Sequence, residues 1–497
     1  MIPFTVRPMH SLTPSLFTSG RFNSCRLPLA LVGLATFVFA QLAAAAEQAE
    51  ALQFDLDKTK TVLSGLIEQT LQDKNVPSIS IALVRGDSIV WKAAFGYANI
   101  RTRTLATPEA LYNAASTFKA VTATALMQLA EQGKFKLDHP VNRYLGEFPV
   151  RDRMQSEQAV TFTHVLSHWS GLTSWPSRGK AAIKPIWGRE LPRTLEQIVP
   201  ELYSIRAPET RFEYNNYGYG LAGLLLEKIS GLEYEQYVCD HVLKPLRVKT
   251  PHPVYPSPDM VELMALPYDT TAAGKQPRPA PQVRTDCYPA GNAYLTAEDM
   301  ARFLGAHLNG GAFQGNRILS PDSVRQMHEP RFGGNYGFGF RVKKTASGST
   351  LIRHTGRLPG MSSVMMGDVD AHAGVYYMAN ATDVTSEIAD AAMMLLRGES
   401  YPPPERKSIT LDPKLLDRYV GDYEVGGDIF SITRDGARLY LRKNNNKKGE
   451  FLAETPSTFF VRNDRATVSF ETNSLGVVDR MVIFQADWQL TVGKKRR

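Results

Sequence analysis

A stretch running from Asn113 to Glu131 limits the possible folds of this chain more than any other. It places Ser116 and Lys119 three residues apart at the start of a predicted helix, so both side chains share one face. The residues after Lys119 are apolar nearly all round the helix: Val121, Ala123, Ala125, Leu126, Leu129 and Ala130. Helices that are apolar on every side are buried inside domains. We therefore expect a central helix whose first turn carries a hydroxyl group and an amine within hydrogen-bond reach.

The spacing of Ser116 and Lys119 suits a nucleophile and its base. A serine hydroxyl group is a poor nucleophile unless a base lies beside it, and lysine serves as that base only where burial lowers its pKa. Ser177 and Lys180 repeat the spacing, but they lie in a loop rich in proline and glycine, where a lysine stays protonated. The alternative for the first pair is a helix-capping serine beside a lysine that reaches the surface.

Two further stretches carry groups suited to acyl transfer. Tyr214-Asn-Asn216 precedes a second apolar helix, predicted over Gly218–Ile229, and a tyrosine beside a lysine can pass a proton to a leaving group. A second copy of that pattern, Tyr97-Ala-Asn99, ends a predicted strand and is interpreted as structural. His354-Thr-Gly356 also ends a predicted strand, where glycine lets a substrate approach and a backbone N–H group can face an oxyanion. The alternative is a strand that simply ends in a turn.

Taken in order, Ser-x-x-Lys, Tyr-x-Asn and His-Thr-Gly resemble the motifs of the penicillin-recognising serine hydrolases. The closest branch resembles the class C β-lactamases and their esterase and D-peptidase relatives of the peptidase S12 type. The resemblance covers roughly residues 55–400. Four other stretches are similar to this family: Leu137–Leu145, Leu166–Leu172, Pro289–Tyr294 and Tyr336–Phe340.

The resemblance implies a role in the chemistry for four residues. Ser116 would be the acylated nucleophile, Lys119 its base partner, and Tyr214 the group that shuttles the proton. The backbone N–H groups of Ser116 and Arg357 would form the oxyanion hole. Water would then hydrolyse the acyl-enzyme, and we expect neither a cofactor nor a metal.

The resemblance also implies a substrate-binding set: Asn216, His354, Thr355, Gly356 and Arg357. Two of these depart from the family pattern. His354 stands where most penicillin-binding relatives have lysine, and histidine is largely neutral at pH 7, which favours esters or other amides over substrates with a carboxylate. Arg357 replaces what is usually a small residue, and its side chain either restores the missing charge or narrows the pocket.

His164 and His168 have the i, i+4 spacing of zinc ligands on a helix. The intervening residues lack the glutamate of the His-Glu-x-x-His pattern, so we expect no metal there. No Gly-x-Ser-x-Gly segment indicates a Ser-His-Asp hydrolase.

The distribution of apolar residues predicts an α+β fold with an antiparallel sheet flanked by helices. The resemblance implies in addition an all-helical subdomain, as in the β-lactamase/transpeptidase fold. Strands are predicted at Ser78–Val84, Ile89–Phe95, Tyr336–Val342, Thr350–His354, Ser362–Gly367 and Val375–Ala379. Residues 251–290 are rich in proline and are expected to form a surface excursion. This hydrolase domain should span residues 47–400.

A stiff proline-rich linker at residues 401–407 should separate this domain from a second one at residues 408–497. Six short alternating runs in the second domain predict a small all-β barrel or sandwich: Tyr419–Tyr423, Phe430–Thr433, Leu439–Arg442, Thr458–Val461, Thr467–Glu471 and Met481–Gln485.

The first 46 residues resemble a secretory signal, with Arg21 and Arg26 before an apolar core that ends in small residues. An uncleaved anchor helix and a start of translation further into the chain are the alternatives. With cleavage after Ala46 we expect an exported protein, periplasmic or secreted, without stable membrane insertion. Of three cysteines, Cys239 and Cys287 remain outside the leader, and sequence alone leaves their pairing open.

The formal charge of +8 is mild, and its one tight cluster, Lys494–Arg497, is interpreted as solvated, so nucleic acid is not an expected partner. The expected partner is a small molecule or short peptide substrate, and the oligomeric state is left open. We thus expect an exported serine hydrolase that acts on a D-amino-acid peptide, a small ester or a β-lactam-like substrate through an acyl-enzyme at Ser116. The alternative is a penicillin-binding or sensor protein with slow or no turnover.

Overall fold

The computed structural model describes residues 54–495 except 175–182, 187–192, 271–275, 346–347, 383, 385, 402–406, 426–427, 444–448, 462–465 and 486–487. The predicted leader, most of the predicted linker, and both Ser177 and Lys180 therefore lie outside the described residues. In the part that is described, no helix is both long and apolar enough to cross a membrane.

Ten α-helices are found in the described residues: α1 Leu56–Asp73, α2 Lys119–Glu131, α3 Phe162–Leu166, α4 Leu195–Ile198, α5 Asn216–Ser230, α6 Tyr234–Val238, α7 Ala297–Leu308, α8 Pro321–Met327, α9 Glu387–Leu396 and α10 Pro413–Leu416. Short 3-10 helices include Ala115–Phe118, Pro258–Leu263 and Tyr288–Ala290. Asn215 caps α5 by accepting a hydrogen bond from the Gly218 N–H group, and Gly231 ends that helix in the left-handed conformation.

A seven-stranded antiparallel sheet forms the centre of the larger domain. Its strands are β1 Ser78–Arg85, β2 Ser88–Asn99, β3 Thr104–Leu105, β4 Arg341–Lys344, β5 Thr350–Leu358, β6 Met361–Asp368 and β7 Ala373–Ala379. Their spatial order is β4-β5-β6-β7-β1-β2-β3. In chain order, the first strand of this sheet therefore pairs with its last, with Ile79 opposite Ala379. This arrangement confirms the predicted α+β architecture.

Each face of the sheet packs against helices. On one face, sheet residues such as Ile352 and Tyr376 share a core with α2, α5 and α7. On the other face, residues such as Leu351 and Tyr377 pack against α1 and α9. Because neighbouring residues of a strand point to opposite faces, Leu351 and Ile352 belong to different cores. Helix α2 is buried along nearly its whole length, as its composition predicts.

The C-terminal segment closes into an eight-stranded antiparallel barrel. Its strands are β8 Gly421–Val425, β9 Asp428–Asp435, β10 Arg438–Lys443, β11 Gly449–Ala453, β12 Thr458–Val461, β13 Ala466–Thr472, β14 Val478–Gln485 and β15 Trp488–Lys495. Tyr423 opposite Lys495 closes the barrel, and aromatic residues such as Phe451, Phe459 and Phe470 fill it. Of the two predicted alternatives, the structure has the barrel.

Three local predictions need correction. The strand predicted at Tyr336–Val342 begins only at Arg341. His354-Thr-Gly356 lies inside β5, not at its end, because the strand continues to Leu358. The predicted surface excursion at residues 251–290 ends in a buried turn, since Tyr288, Pro289 and Ala290 pack beneath α2 and α5.

Candidate active site

Ser116 lies in the tight 3-10 turn Ala115–Phe118 that leads directly into α2. The turn begins with Ala115 in the left-handed region, at φ 48°. The Asn113 side chain accepts a hydrogen bond from the Ala115 N–H group at 2.9 Å, and the Thr117 hydroxyl group donates to the Ala114 carbonyl at 2.7 Å. These local bonds hold a strained turn in place, which fixes the nucleophile before the helix begins.

Lys119 is fully buried, and its amine contacts the Ser116 hydroxyl group. The distance from Nζ to Ser116 Oγ is 3.0 Å, and Nζ also donates to the Ala290 carbonyl oxygen at 2.6 Å. Burial lowers the pKa of Lys119 to about 7, because desolvation disfavours the charged amine. A substantial fraction of the lysine is therefore neutral at pH 7 and able to accept the serine proton.

The ring of Tyr214 packs against the amine of Lys119. Its ring centre is 4.9 Å from Lys119 Nζ, and its hydroxyl oxygen is buried without a hydrogen-bond partner of good geometry among the described residues. Burial raises the pKa of Tyr214 above its ordinary value, while the nearby Ser116 hydroxyl group acts in the opposite direction. The phenol is therefore protonated at neutral pH and adjacent to the nucleophile.

The third motif reaches the site through the backbone of β5. Gly356 packs against the Ser116 turn so closely that an added Cβ would lie 2.5 Å from the Ala114 carbonyl oxygen and 2.9 Å from Ala115 Cβ. A second glycine, Gly291, also packs against the turn, and a Cβ there would lie 2.8 Å from the Ser116 nitrogen. Side chains at these two positions would displace the nucleophile.

Among the described residues, no strand pairs with the β4-side edge of β5 beyond Arg353, where β5 passes the site. Strand β4 pairs with β5 only as far as Arg353, whereas β6 pairs with it as far as Leu358. The loop from β5 to β6 has two residues, so Leu358 and Met361 form a hydrogen-bonded pair. Hydrogen-bonded pairs alternate with non-hydrogen-bonded pairs along an antiparallel ladder, so the next residue, Arg357, belongs to a non-hydrogen-bonded pair. The backbone groups of Arg357 therefore point toward the β4-side edge. This orientation suits the predicted oxyanion donor.

His354 is buried and hydrogen-bonded on both ring nitrogens. Nδ1 lies 2.8 Å from the Thr355 carbonyl oxygen, which can only accept, so Nδ1 carries the proton. Nε2 therefore accepts from the Tyr336 hydroxyl group at 2.9 Å. Burial, reinforced by Lys119, lowers the pKa of His354 to about 3. The imidazole is thus neutral and fixed by protein groups.

A cavity of about 90 Å³ opens beside the nucleophile, and Ser116, Asn216, Cys287, Gly291 and Arg357 are among the residues that line it. Of the predicted substrate-binding residues, Asn216 and Arg357 thus line the same cavity as Ser116. Gly356 packs against the turn that carries Ser116. The side chain of Thr355 is exposed and shares a strand face with Arg357, opposite Gly356, but it is not among the residues that line this cavity.

Sequence reasoning missed several groups of the site. The Ala290 carbonyl that holds Lys119, the Tyr336 hydroxyl group that fixes His354, and the Cys287 thiol in the cavity were not singled out. Cys239 and Cys287 are both free thiols. A backbone carbonyl leaves no sequence signal, although Ala290 does lie within the family-like stretch Pro289–Tyr294.

The two histidines considered for zinc have other contacts. His164 closes a capping box at the start of α3 and contacts the Glu209 carboxylate at 2.9 Å. The His168 imidazole accepts a hydrogen bond from the Asn215 N–H group at 3.0 Å. Within the described residues, no group of three or more histidine, cysteine, aspartate or glutamate side chains is placed to hold a metal ion.

Comparison with known proteins finds family models that together match most of the chain. A family model described as Beta-lactamase matches residues 63–399, and one described as a domain of unknown function, DUF3471, matches residues 405–496. The chain is 25% identical over 434 residues to penicillin-binding protein 4* of Bacillus subtilis, covering 81% of this chain and 92% of the relative.

Two solved structures share the fold. The octameric penicillin-binding protein homologue from Pyrococcus abyssi has a TM-score of 0.59 and 23% identity, covering 88% of this chain and 99% of that one. D-amino acid amidase from Ochrobactrum anthropi SV3, complexed with L-phenylalanine amide, has a TM-score of 0.56 and 24% identity, covering 69% and 97%. The amidase therefore has no equivalent of roughly a third of this chain.

Proposed function

Because the chain belongs to the beta-lactamase family, we propose that it is a serine hydrolase that forms an acyl-enzyme at Ser116 on an ester or amide substrate. The observation that carries the proposal is the contact between Lys119 Nζ and Ser116 Oγ at 3.0 Å. A buried amine with its pKa lowered to about 7 is a competent general base at neutral pH, and a serine needs such a base.

The proposed reaction starts with neutral Lys119. Its amine accepts the Ser116 proton as Oγ attacks the substrate carbonyl carbon, and the developing oxyanion is stabilised by the N–H groups of Ser116 and Arg357. Tyr214 donates its proton to the leaving group and recovers one from Lys119. A water molecule then attacks the acyl carbon, Ser116 regains its proton, and the acid product leaves.

The substrate that fits the site best is an ester or amide that does not depend on a carboxylate for binding. A lysine at position 354 would offer a fixed positive charge, whereas His354 is neutral and its two nitrogens are occupied by Tyr336 and Thr355. Arg357 lines the cavity and is cationic, so its side chain is the one expected to change substrate preference. D-amino acid amides and small esters are the substrates to try first.

Covalent labelling followed by intact-mass measurement tests the acyl-enzyme. A fluorophosphonate should add one adduct to the wild-type protein and none to Ser116→Ala, and a panel of chromogenic esters, D-aminoacyl amides and a penicillin should reveal turnover. Absence of any adduct on the folded wild-type protein would contradict the proposal. A stoichiometric penicillin adduct that persists without turnover of any substrate would support the sensor alternative instead.

We also propose that the protein is exported through the leader at residues 1–46. The sequence pattern of that segment is the support. Export is tested by expressing the full-length gene product in a bacterial host and sequencing the N-terminus of the protein recovered from the periplasm and the medium. A new N-terminus near Glu47 is expected, and retention of the intact leader in the cytoplasm would contradict it.

A further inference from the structure

His168 holds an unusual backbone conformation close to the proposed site. It follows α3 with φ at 66°, in the left-handed region that residues with a Cβ rarely adopt, and only 1% of its surface is exposed. Such conformations cost free energy and persist only where surrounding contacts enforce them. The contacts of His168 lead to the segment that carries Tyr214.

Two hydrogen bonds join His168 to that segment, one on each side of Tyr214. The Asn215 N–H group donates to His168 Nδ1 at 3.0 Å, and the Glu213 N–H group donates to the His168 carbonyl oxygen at 2.9 Å. The two rings also pack together, with a centroid distance of 4.3 Å between His168 and Tyr214. The backbone of Tyr214 is therefore held at both neighbours and its ring on one face.

Further bonds strengthen the same attachment. The Asn215 side chain donates to the carbonyl oxygens of Leu172 at 3.2 Å and Thr173 at 3.0 Å. Its Oδ1 accepts from the Gly218 N–H group at 2.9 Å, which caps α5. Residues 168–173 and 213–218 thus form one hydrogen-bonded unit with Tyr214 in its middle.

The imidazole acts in this unit as an acceptor. Because Nδ1 accepts from an N–H group, the proton of neutral His168 is on Nε2. Burial lowers the pKa of His168 well below its ordinary value, and Lys119, His354 and Arg341 add to the effect. His168 therefore stays neutral, and protonation of Nδ1 would break the bond to Asn215.

We propose that His168 is a positioning residue for Tyr214, fixing the backbone on both sides of the tyrosine so that its hydroxyl group stays beside Ser116 and Lys119. This inference rests on the proposed function, because it assigns His168 a task only through proton transfer by Tyr214. In the described residues, the hydrogen bonds and ring contacts found for His168 do not include Ser116 or the cavity residues, so His168 is not a catalytic residue.

The dependence of the rate on the leaving group tests this role. A nitrophenolate departs without a proton, whereas an alkoxide needs the proton that Tyr214 supplies. His168→Ala should therefore lower kcat for an alkyl ester by about tenfold or more relative to kcat for the matching p-nitrophenyl ester, with KM changed much less, since small misplacements of a catalytic group are costly. Loss of structure alone would lower both rates equally.

Three further variants make the test decisive. His168→Asn should restore the alkyl-ester rate, because its Oδ1 can accept from Asn215 and asparagine tolerates positive φ. His164→Ala removes an equally buried histidine of the same segment, with no contact to Tyr214, and should leave the ratio of the two rates unchanged. In a Tyr214→Phe background, His168→Ala should have no further effect on that ratio.

The inference would be overturned if His168→Ala lowered both ester rates in parallel, or if the effects of His168→Ala and Tyr214→Phe on the ratio added fully. The proposed function is judged separately, by labelling and turnover of the wild-type protein and Ser116→Ala. An active wild-type enzyme with an unchanged ratio in His168→Ala would remove the role of His168 and leave the role of Ser116 intact.

Discussion

The buried amine of Lys119 is the residue on which the proposed chemistry depends. Two acceptors hold it, Ser116 Oγ and the Ala290 carbonyl oxygen, and no carboxylate is among its hydrogen-bond partners in the described residues. A carboxylate there would stabilise the ammonium form and raise the pKa of Lys119, which would remove the base. The site keeps the amine neutral through burial alone, at a cost in folding free energy.

The first prediction concerns the pH dependence of activity. The pKa of Lys119 is about 7, and only the neutral amine is a base, so kcat/KM for a neutral ester should rise with pH up to about 7 and level off above it. Below pH 7 the value should fall about tenfold per pH unit. Initial rates between pH 5 and 9 test this.

Lys119→Arg serves as the comparison, because a guanidinium group stays charged throughout that range. It should reduce kcat/KM by about 10²–10⁴ above pH 7, and its own kcat/KM should not fall further between pH 7 and pH 5. A wild-type profile that is flat from pH 5 to 9 would contradict the assignment of Lys119 as the base.

The second prediction concerns His354, whose two nitrogens are bonded to Thr355 and Tyr336. His354→Lys would bury a charge without a carboxylate partner, close to Lys119. We expect the free energy of unfolding to fall by about 3 kcal/mol or more, with no gain of penicillin turnover. Thr355→Lys places the same side chain one residue away on the exposed face and should change stability by about 0.5 kcal/mol at most. Urea unfolding of the wild type, His354→Lys and Thr355→Lys measures these changes. Equal stability of the two variants would refute the prediction.

At the scale of secondary structure, the nucleophile is positioned by close contact between elements that are distant in sequence. Strand β5 brings Gly356 against the turn before α2, and the 3-10 helix at Tyr288–Ala290 brings Gly291 against it as well. Both approaches are possible only because these positions lack a Cβ. The geometry of Ser116 thus depends on two glycines in other elements.

The third prediction follows from that dependence. Gly356→Ala would place a Cβ 2.5 Å from the Ala114 carbonyl oxygen, so β5 and the Ser116 turn must separate. We expect a loss of about 1–3 kcal/mol in stability and at least about a hundredfold loss of kcat. Gly65→Ala on the exposed face of helix α1 meets no atom within 4 Å and should instead stabilise the protein by about 0.5–1 kcal/mol. A fully active Gly356→Ala variant would contradict the description of the site.

Prediction from sequence succeeded where the signal was local. The spacing of Ser116 and Lys119, and the burial of α2, follow from a short periodic segment. The failures involve contacts between distant segments: the turn at Tyr288–Ala290 lies 171 residues from Lys119 along the chain, and its prolines suggested a surface loop. The extension of β5 past Gly356 was missed because glycine and threonine there resemble a turn.

At the scale of the whole molecule, several histidines are buried in neutral form. His307 and His328 pack on Phe340 behind α2, with 3.2 Å between their ring nitrogens, and His307 Nε2 contacts the Thr124 hydroxyl group at 3.0 Å. Burial lowers the pKa of His328 to about 3 and that of His307 well below its ordinary value. His168 and His354 behave alike, so four histidines resist protonation in the folded state.

The fourth prediction is a loss of stability at acid pH. Below pH 6.5 the unfolded chain binds protons at these four histidines while the folded protein does not, so stability falls as pH falls. Each histidine lowers the free energy of unfolding by about 1.4 kcal/mol per pH unit as pH falls. Burial raises the pKa of Glu227 to about 7, so this residue takes up its proton in the folded state first and offsets the effect of one of the four histidines. Unfolding by urea at pH 7, 6, 5 and 4 should show a steep decline that begins below pH 6.5.

His328→Phe provides the control for this prediction. The variant keeps a ring against Phe340 and removes one titrating group, so the decline should become shallower by about 1.4 kcal/mol per pH unit. Stability that is constant from pH 7 to pH 4 in the wild-type protein would contradict the assignment of neutral, buried histidines.

The order of strands also determines when during its synthesis the protein gains a working centre. Strand β1 precedes Ser116 in the chain, yet its partner β7 ends at Ala379, and the hydroxyl group of Tyr376 in β7 lies 2.7 Å from that of Thr117 beside the serine. Contacts over such sequence separations form late in folding. A chain that is still emerging from the ribosome therefore carries Ser116 without the strand that completes its surroundings. We therefore expect an unfinished chain to be inactive until roughly three quarters of the polypeptide, up to Ala379, has been synthesised.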